Sequence, residues 1–214
     1  MVQTQVLYLA IRSKNFCIVL SSPSGAGKTT ISKMLLKKDK SISLSISCTT
    51  RPKRKGEESK KDYIFLSDKE FNKAVSQNKF IEHAKVFGYR YGTLKQTVNN
   101  FFKKNKDVLF DIDWQGYQQL KYSNKEVVGI FILPPSKKEL INRLKIRDRD
   151  TKDEMKKRMS LVQNEISHFP EYDYVVVNKN LNNCVDQIKN IINAERLRRS
   201  RLINLTNFVG KFQT

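Results

Sequence analysis

The sequence predicts an α/β domain in which a parallel sheet is flanked by helices on both faces. Three observations predict it. Short apolar runs, each long enough for one strand, alternate along the chain with segments whose apolar residues recur at helical spacing. The first of these runs leads into a glycine-containing turn and then into a helix, as the first unit of such sheets does. The 214 residues, of which 39% are hydrophobic, are enough for one large domain with inserted lobes.

The first element is the stretch 16–30, FCIVLSSPSGAGKTT, in which a strand, a Ser/Pro/Gly turn and the start of a helix follow one another. This is the context that a phosphate-binding P-loop requires, because small residues let successive backbone N–H groups surround phosphate oxygens. Lys28 is expected to bridge the terminal phosphates, and the Thr29 hydroxyl to contact Mg²⁺. Ser22 stands where the usual pattern has glycine, and an ordinary Ser/Gly turn before a helix is the alternative interpretation.

The segment 44–92 is predicted to form a small α+β lobe. Strands are expected at 42–47, 62–66 and 79–87, with a turn at 88–93. Ser67 and Glu70 form a capping-box pattern for a helix that reaches about residue 77. Arg51 and Arg54 lie three residues apart in a loop with proline and glycine, which suits the clamping of a phosphate by guanidinium groups. A solvated basic loop is the alternative.

The core is predicted to resume with a helix at 94–104 and an apolar strand at 107–113. Asp111 and Asp113 end this strand, where a Walker-B carboxylate would hold Mg²⁺ or its water shell; an aspartate that caps the next helix is the alternative. A helix from Trp114, a strand at 127–133 and a helix that Ser136 caps follow. A charged loop, a helix to about His168, a strand at 173–178 and a long basic helix at 181–203 complete the domain.

The composition restricts the partners and the compartment. The net charge of +20 suggests nucleic acid, but the lysines are scattered and no nucleic-acid module is recognisable, so we expect a Lys-rich surface without a specific nucleic-acid partner. No run of about 18 apolar residues exists, so no membrane span is expected. Cys17, Cys48 and Cys184 show neither metal nor disulfide spacing, which favours the reducing cytoplasm. Residues 1–15 lack the features of a signal peptide and are interpreted as a frayed extension.

Six stretches in the same order resemble the guanylate kinase family: 22–29, 47–57, 80–84, 91–93, 111–116 and 132–136. The resemblance covers about residues 16–205. It implies transfer of a phosphoryl group from ATP, with Mg²⁺, to GMP and dGMP. It also implies three parts: a core of 16–43 and 93–214, a GMP-binding lobe of 44–92, and a lid at about 143–158 within the core. The oligomeric state, monomer or homodimer, is left open.

The resemblance also implies site residues. Those expected to be catalytic are Lys28, Arg51, Asp111, Arg143, Arg147 and Arg158. Those expected to bind ATP are Ser22, Pro23, Ser24, Gly25, Ala26, Gly27, Lys28, Thr29, Thr30 and Asn178. Those expected to bind GMP are Ser47, Arg51, Arg54, Tyr63, Glu82, Tyr91, Thr93 and Asp113. Thr29 is expected to bind Mg²⁺ directly, and Asp111 through water.

Glu82 has a chemical reason to select guanine. Guanine N1–H and N2–H₂ are adjacent donors, and one carboxylate accepts both, whereas adenine lacks that pair. Two departures from the family pattern are evident: Ile146 and Asp148 flank Arg147 where the lid often has glycines, and Lys179 and Asn180 follow Asn178 where acids are common.

Three alternative functions remain at this point. The chain resembles an inactive guanylate-kinase-like module that binds proteins, but its Gly27, Lys28, Thr29 and Asp111 are intact. It could be another P-loop kinase, against which Glu82 argues. It could also be a nucleic-acid-dependent NTPase, for which only the charge argues.

Overall fold

The computed structural model describes residues 11–86, 88–123, 126–147 and 162–212, without the side chains of residues 144–147. The strands are β1 (Arg12–Ser13), β2 (Cys17–Ser21), β3 (Ile42–Leu44), β4 (Cys48–Thr49), β5 (Ile64–Phe65), β6 (Phe80–Val86), β7 (Tyr89–Leu94), β8 (Asp107–Asp111), β9 (Val127–Leu133), β10 (Tyr174–Val177) and β11 (Leu202–Ile203). The α-helices are α1 (Lys28–Lys38), α2 (Asp68–Ser76), α3 (Lys95–Lys103), α4 (Trp114–Tyr122), α5 (Lys137–Arg147), α6 (162–167), α7 (Leu181–Arg196) and α8 (Leu205–Gly210).

The central sheet contains five parallel strands in the order β10–β9–β2–β8–β3. The middle strand, β2, is buried at every residue. Because β2 and β8 are parallel neighbours, the glycine loop after β2 and the aspartates after β8 lie at the same edge of the sheet. The predicted α/β fold with a parallel sheet is confirmed.

Helices cover both faces of this sheet. On one face, Ile18 of β2 packs in a single core with Ile31 of α1 and Ile188 of α7. On the other face, Val19 packs in a second core that includes Leu120 of α4. The alternation of neighbouring β2 residues between two cores explains why this strand is continuously apolar. Within the described residues, none of the helices combines the length and apolar character that crossing a membrane requires.

The inserted lobe has a sheet and a small core of its own. Its four strands lie in the order β5–β4–β7–β6. Phe71 of α2 stacks on Phe80 of β6, with ring centroids 4.6 Å apart, and Cys48 of β4 joins the same cluster. The predicted capping box is confirmed, since the Ser67 hydroxyl accepts from the Glu70 N–H while the Glu70 carboxylate accepts from the Ser67 N–H.

Two predictions within this region were wrong. The predicted strand at 42–47 is too long: β3 ends at Leu44 in the central sheet, and β4 of the lobe sheet begins only at Cys48, so residues 45–47 are the passage into the lobe. The predicted turn at 88–93 is mostly strand β7, which pairs antiparallel with β6. Aromatic and β-branched residues favour a strand there, and only the tip of the hairpin near Gly88 turns.

The long helix predicted at 181–203 was also wrong, because α7 ends at Arg196. The chain then turns and Arg201 becomes buried, 3% exposed, where it forms an ion pair with Glu195. Next, β11 pairs antiparallel with β1. Residues 12–14 of the predicted frayed extension are therefore bonded to the C-terminal segment, and residues 1–10 lie outside the described part.

Candidate active site

The glycine loop has the backbone geometry that its sequence predicts. Gly25 and Gly27 have φ angles of 90° and 99°, in the left-handed region where glycine is favoured. Gly27 is the N-cap of α1, so the first N–H groups of that helix face the loop without intrahelical partners. A Cβ atom at Gly27 would lie 2.8 Å from the Asn178 side-chain nitrogen. Such a loop at a helix N-terminus attracts phosphate.

The Asn178 side chain supports this loop through a hydrogen bond to its backbone. It is 4% exposed, and its side-chain Nδ2 donates to the Ala26 carbonyl at 2.9 Å. Ala26 is itself buried, and its N–H donates to the Pro23 carbonyl at 3.1 Å. Pro23, Ala26 and Asn178, which are predicted to contact ATP, also make these contacts within the protein, and the contacts shape the loop.

Lys28 lies between the loop and the end of β8. Its Nζ is 2.7 Å from Asp111 Oδ1 and donates to the Ile112 carbonyl at 3.1 Å. Burial disfavours the charged ammonium, but the neighbouring Asp111 carboxylate outweighs burial and raises the pKa of Lys28. The lysine is therefore a fixed positive charge that points toward the cleft.

Asp113 performs the helix-capping role that had been the alternative for the acids after β8. Its Oδ1 accepts from the Gly116 N–H at 3.2 Å at the start of α4. Gly116 also makes room for Glu82 of β6, because a Cβ at this position would lie 2.7 Å from Glu82 Oε2. The turn into α4 therefore forms one wall of the space around the Glu82 carboxylate.

Among the described residues, the buried Glu82 carboxylate forms no ion pair. Its side chain is 3% exposed, and Oε1 has no hydrogen-bond partner among the described residues. Burial, with a smaller contribution from the Asp113 charge and a partial offset by Thr93, raises the pKa of Glu82 to about 7. The buried Thr93 hydroxyl lies beside this carboxylate. A buried acceptor without a partner, such as Glu82 Oε1, indicates a site that a polar ligand completes.

Arg51 is held in place at the mouth of the lobe. Its side chain is 8% exposed, and its guanidinium donates to the Pro52 carbonyl at 2.8 Å and to Glu57 Oε1 at 2.6 Å. It also lies over the Tyr63 ring, 5.3 Å from the centroid, and Tyr63 contacts Tyr91 edge to face. Arg54, by contrast, is exposed and its backbone N–H donates to Glu57.

One cleft of about 260 Å³ brings most of the predicted residues together. The loop contributes Ser22, Ser24, Gly25, Gly27, Lys28 and Thr29, the end of β8 contributes Asp111 and Asp113, and the lobe contributes Ser47, Tyr63, Glu82 and Tyr91. The cleft thus joins a phosphate-binding loop to a pocket with a buried carboxylate. This arrangement would bring a phosphate donor and an acceptor face to face, as a reaction between them requires.

A second cavity, of about 340 Å³, lies on the outer side of the loop. It is lined by Gly25, Gly27, Thr30, Arg143, Asn178, Lys179 and Leu181. The half-buried Arg143 donates from Nε to Glu139 Oε1 at 2.7 Å, one helical turn away. Of the other two predicted lid arginines, Arg147 ends α5 with its side chain outside the described atoms, and Arg158 lies outside the described residues, as does most of the predicted lid.

Sequence reasoning missed three residues that contact the site. Glu57 and Gly116 belong to the stretches 47–57 and 111–116 that carry the family resemblance, but no function was predicted for either residue. Glu165 of α6 accepts from the Ser24 N–H at 3.0 Å. Nothing in the local sequence distinguishes Glu165, because the contact joins residues that are 141 positions apart.

The fold and the cleft define a P-loop nucleotide kinase with a separate acceptor lobe. The sequence model of the family described as guanylate kinase matches residues 14–195. The guanylate kinase of Paramagnetospirillum magneticum is 45% identical over 204 residues, 95% of each chain, and that of Rickettsia prowazekii is 48% identical over 88% of this chain and 95% of its own. The chain belongs to the guanylate kinase family.

A solved structure agrees with this assignment. The crystal structure of guanylate kinase from Anaplasma phagocytophilum superposes with a TM-score of 0.79, at 36% sequence identity. The match covers 94% of this chain and 96% of that one. The central sheet, its helices and the inserted lobe are therefore the arrangement found in a guanylate kinase.

Proposed function

We propose that this chain is an ATP:GMP phosphotransferase, which transfers the γ-phosphoryl group of ATP to GMP and yields ADP and GDP. The observation that carries this proposal is the shared cleft, where the phosphate-binding loop faces the buried Glu82 carboxylate, whose Oε1 has no hydrogen-bond partner among the described residues. The family membership supports the same activity. The alternative of an inactive protein-binding module is not favoured, because relatives of nearly the same length carry the name guanylate kinase.

The acceptor pocket suits guanine. Glu82 accepts the N1–H and N2–H₂ donors of the base, and Ser47, Thr93 and Asp113 line the remainder of the pocket. Adenine would leave the buried carboxylate unpaired, which costs about 1–3 kcal/mol or more for a charged group. Since these contacts involve the base and the phosphate, and not the 2′ position of the sugar, dGMP is an acceptor as well.

Arginine and tyrosine side chains bind the acceptor phosphate. Glu57 and the Tyr63 ring hold the Arg51 side chain in place, so its guanidinium loses little conformational freedom when it binds phosphate. Tyr63 and Tyr91 lie beside it, and Arg54, being exposed, reaches the phosphate only after its side chain moves. The acceptor phosphate is already largely ionised near neutral pH, so the protein supplies no general base.

On the donor side, the N–H groups at the start of α1 and the Lys28 ammonium hold the terminal phosphates of ATP. Arg143 in the outer cavity, together with Arg147 and Arg158, meets the charge that develops on the transferred group. Exclusion of water from the cleft prevents hydrolysis, which otherwise competes with transfer.

The donor set of the cleft fits a hard cation such as Mg²⁺. Thr29 offers an exposed hydroxyl at the start of α1, and Asp111 offers a carboxylate of which one oxygen contacts Lys28. Among the described residues no cluster of three or more His, Cys, Asp or Glu forms a metal site, which agrees with an ion that keeps waters and binds phosphates. When bound, Mg²⁺ neutralises charge on the β- and γ-phosphate oxygens.

The same proposal includes a cytoplasmic location and nucleotides, without nucleic acid, as the binding partners. Cys17, Cys48 and Cys184 are free and buried, which suits the reducing cytoplasm. The net charge of +20 belongs to a Lys-rich surface, and no specific nucleic-acid partner is proposed.

The experiment is a transfer assay with Mg·ATP and each of GMP, dGMP, AMP, UMP, CMP and dTMP, read as ADP released. Strong preference for GMP and dGMP is the expected result. Transfer to a different acceptor would contradict the guanine assignment, and GMP binding without any transfer would favour the protein-binding module.

A further inference from the structure

The Glu165 carboxylate of α6 contacts the phosphate-binding loop. The Ser24 N–H at the exposed rim of the loop donates to Glu165 Oε2 at 3.0 Å. Glu165 is half-buried, and Lys28 and Asp113 lie within electrostatic reach of it. The carboxylate therefore lies beside both the donor loop and the start of the acceptor pocket.

Other contacts fix α6 in this position. Val162, the first described residue of α6, is 2% exposed and packs with Leu140 of α5. Just after its end, His168 stacks on Trp114, with ring centroids 3.7 Å apart and planes 10° apart. Trp114 directly follows Asp113 of the acceptor pocket. The helix α6 therefore contacts α5 through Val162 and the start of α4 through the stacked His168 and Trp114. Glu165 is its contact with the phosphate-binding loop.

We propose that Glu165 is a positioning residue for phosphoryl transfer, which holds the rim of the phosphate-binding loop to α6 by accepting the Ser24 N–H. This inference rests on the proposed function. The amides at the start of α1 remain available for phosphate, since they have no intrahelical partners. The Ser24 amide lies before this helix and already donates to Glu165, so it can anchor the loop while the helix amides take the phosphate.

The anchor depends on a hydrogen-bond acceptor and not on charge. A glutamine amide oxygen at position 165 accepts the same N–H, whereas alanine leaves the amide without its partner. If the carboxylate were instead a placeholder for a phosphate, removal of its negative charge would tighten nucleotide binding. The two substitutions therefore separate the two roles.

The test compares Glu165→Ala and Glu165→Gln with the matched control Asn164→Ala, which alters an exposed neighbour on the same helix. ADP affinity is measured by calorimetry without acceptor, and amide hydrogen exchange is followed in a peptide that covers residues 22–27. Steady-state assays then give KM for ATP and for GMP. Because ADP binding needs no turnover, a parent protein that transfers no phosphate would contradict the proposed function and leave this test intact.

Glu165→Ala is expected to weaken ADP binding and to raise KM for ATP by about tenfold, the effect of leaving the Ser24 amide without its hydrogen-bond acceptor. KM for GMP stays unchanged and exchange in the loop becomes faster. Glu165→Gln and Asn164→Ala remain within about twofold of the parent. The proposal is overturned if Glu165→Ala binds ADP like the parent, if Glu165→Gln is as weak as Glu165→Ala, if both variants bind ADP more tightly, or if both KM values rise together with a lower Tm.

Discussion

The donor loop and the acceptor pocket of this cleft are built in different ways. The donor loop is one continuous stretch, 22–30, whose function depends on successive backbone amides and on Lys28. The acceptor pocket takes Ser47, Glu82 and Asp113 from three separate parts of the chain. A local motif fixes the chemistry of the first, whereas only the fold creates the second. Changes in the loop should therefore abolish transfer, and changes in the pocket should alter which acceptor is used.

The largest effect is expected from Lys28→Ala. This substitution removes the positive charge that meets the transferred phosphoryl group, so kcat should fall by roughly 10²–10³-fold. GMP affinity, measured by calorimetry, should stay within about twofold, because the pocket around Glu82 is separate from Lys28. Lys33→Ala, at an exposed position of α1, is the control and should retain activity. Full activity in Lys28→Ala would contradict the assignment of the loop.

Gly116→Ala should affect only the acceptor side. The added Cβ would lie 2.7 Å from Glu82 Oε2 and 3.0 Å from Ile112 Cδ1, so the carboxylate must move from its place in the pocket. We expect KM for GMP to rise roughly 10–100-fold while KM for ATP is unchanged. Steady-state kinetics with each substrate varied in turn checks this. Equal increases in both KM values would show that the two halves are not independent.

The raised pKa of Glu82 predicts a pH dependence on the acceptor side alone. Guanine requires the ionised carboxylate, and the pKa of Glu82 in the free protein is about 7. As pH falls through this value the carboxyl becomes protonated, so GMP affinity should drop by about tenfold between pH 8 and pH 6.

The control for this pH experiment is Glu82→Gln, which keeps the size of the side chain and removes its titration. The phosphate of GMP titrates near pH 6 in either protein, so the difference between the two profiles belongs to Glu82. Identical profiles would contradict the role of this carboxylate. ATP affinity should show no difference between parent and variant.

The smallest effect is expected from Glu57→Ala. Glu57 holds Arg51 through a 2.6 Å ion pair and accepts the Arg54 N–H at 2.8 Å, and these contacts lower the pKa of Glu57. Without them Arg51 binds phosphate less efficiently, and KM for GMP should rise about fivefold. Binding of guanosine, which has no phosphate, should not change.

Glu58→Ala is the matched control for Glu57→Ala, since Glu58 is exposed and pairs with the equally exposed Lys61. It should behave like the parent. If guanosine binding weakens together with GMP binding in Glu57→Ala, the residue supports the lobe as a whole and does not position Arg51.

Local patterns explain what could be predicted from the sequence. The strand at 127–133 agrees with β9, the Ser67 capping box begins α2, and Gly25 and Gly27 adopt the positive φ angles that a P-loop turn needs. In each case neighbouring residues determine the structure, so a short window contains the information. The assignment of Glu82 to the guanine pocket came from the resemblance, because an isolated glutamate in a strand is uninformative.

Long-range contacts explain what could not be predicted. The helix α7 ends at Arg196 although helical spacing continues, because Arg201 turns inward to Glu195 and β11 pairs with β1. The Asn178 side-chain amide donates to the Ala26 carbonyl, a contact across 152 positions that no local pattern indicates. The bond between Ser24 and Glu165 is of the same kind. Such partners become visible only when the fold brings them together.

The most direct test of the account is the ratio of kcat/KM for GMP to that for AMP, measured for the parent and for Glu82→Gln with Mg·ATP as donor. A buried carboxylate that pairs with guanine predicts a ratio of at least about 100 in the parent and a collapse of that ratio by roughly tenfold or more in the variant. A ratio that Glu82→Gln leaves unchanged would contradict the central claim, because the choice of acceptor would then lie elsewhere in the cleft.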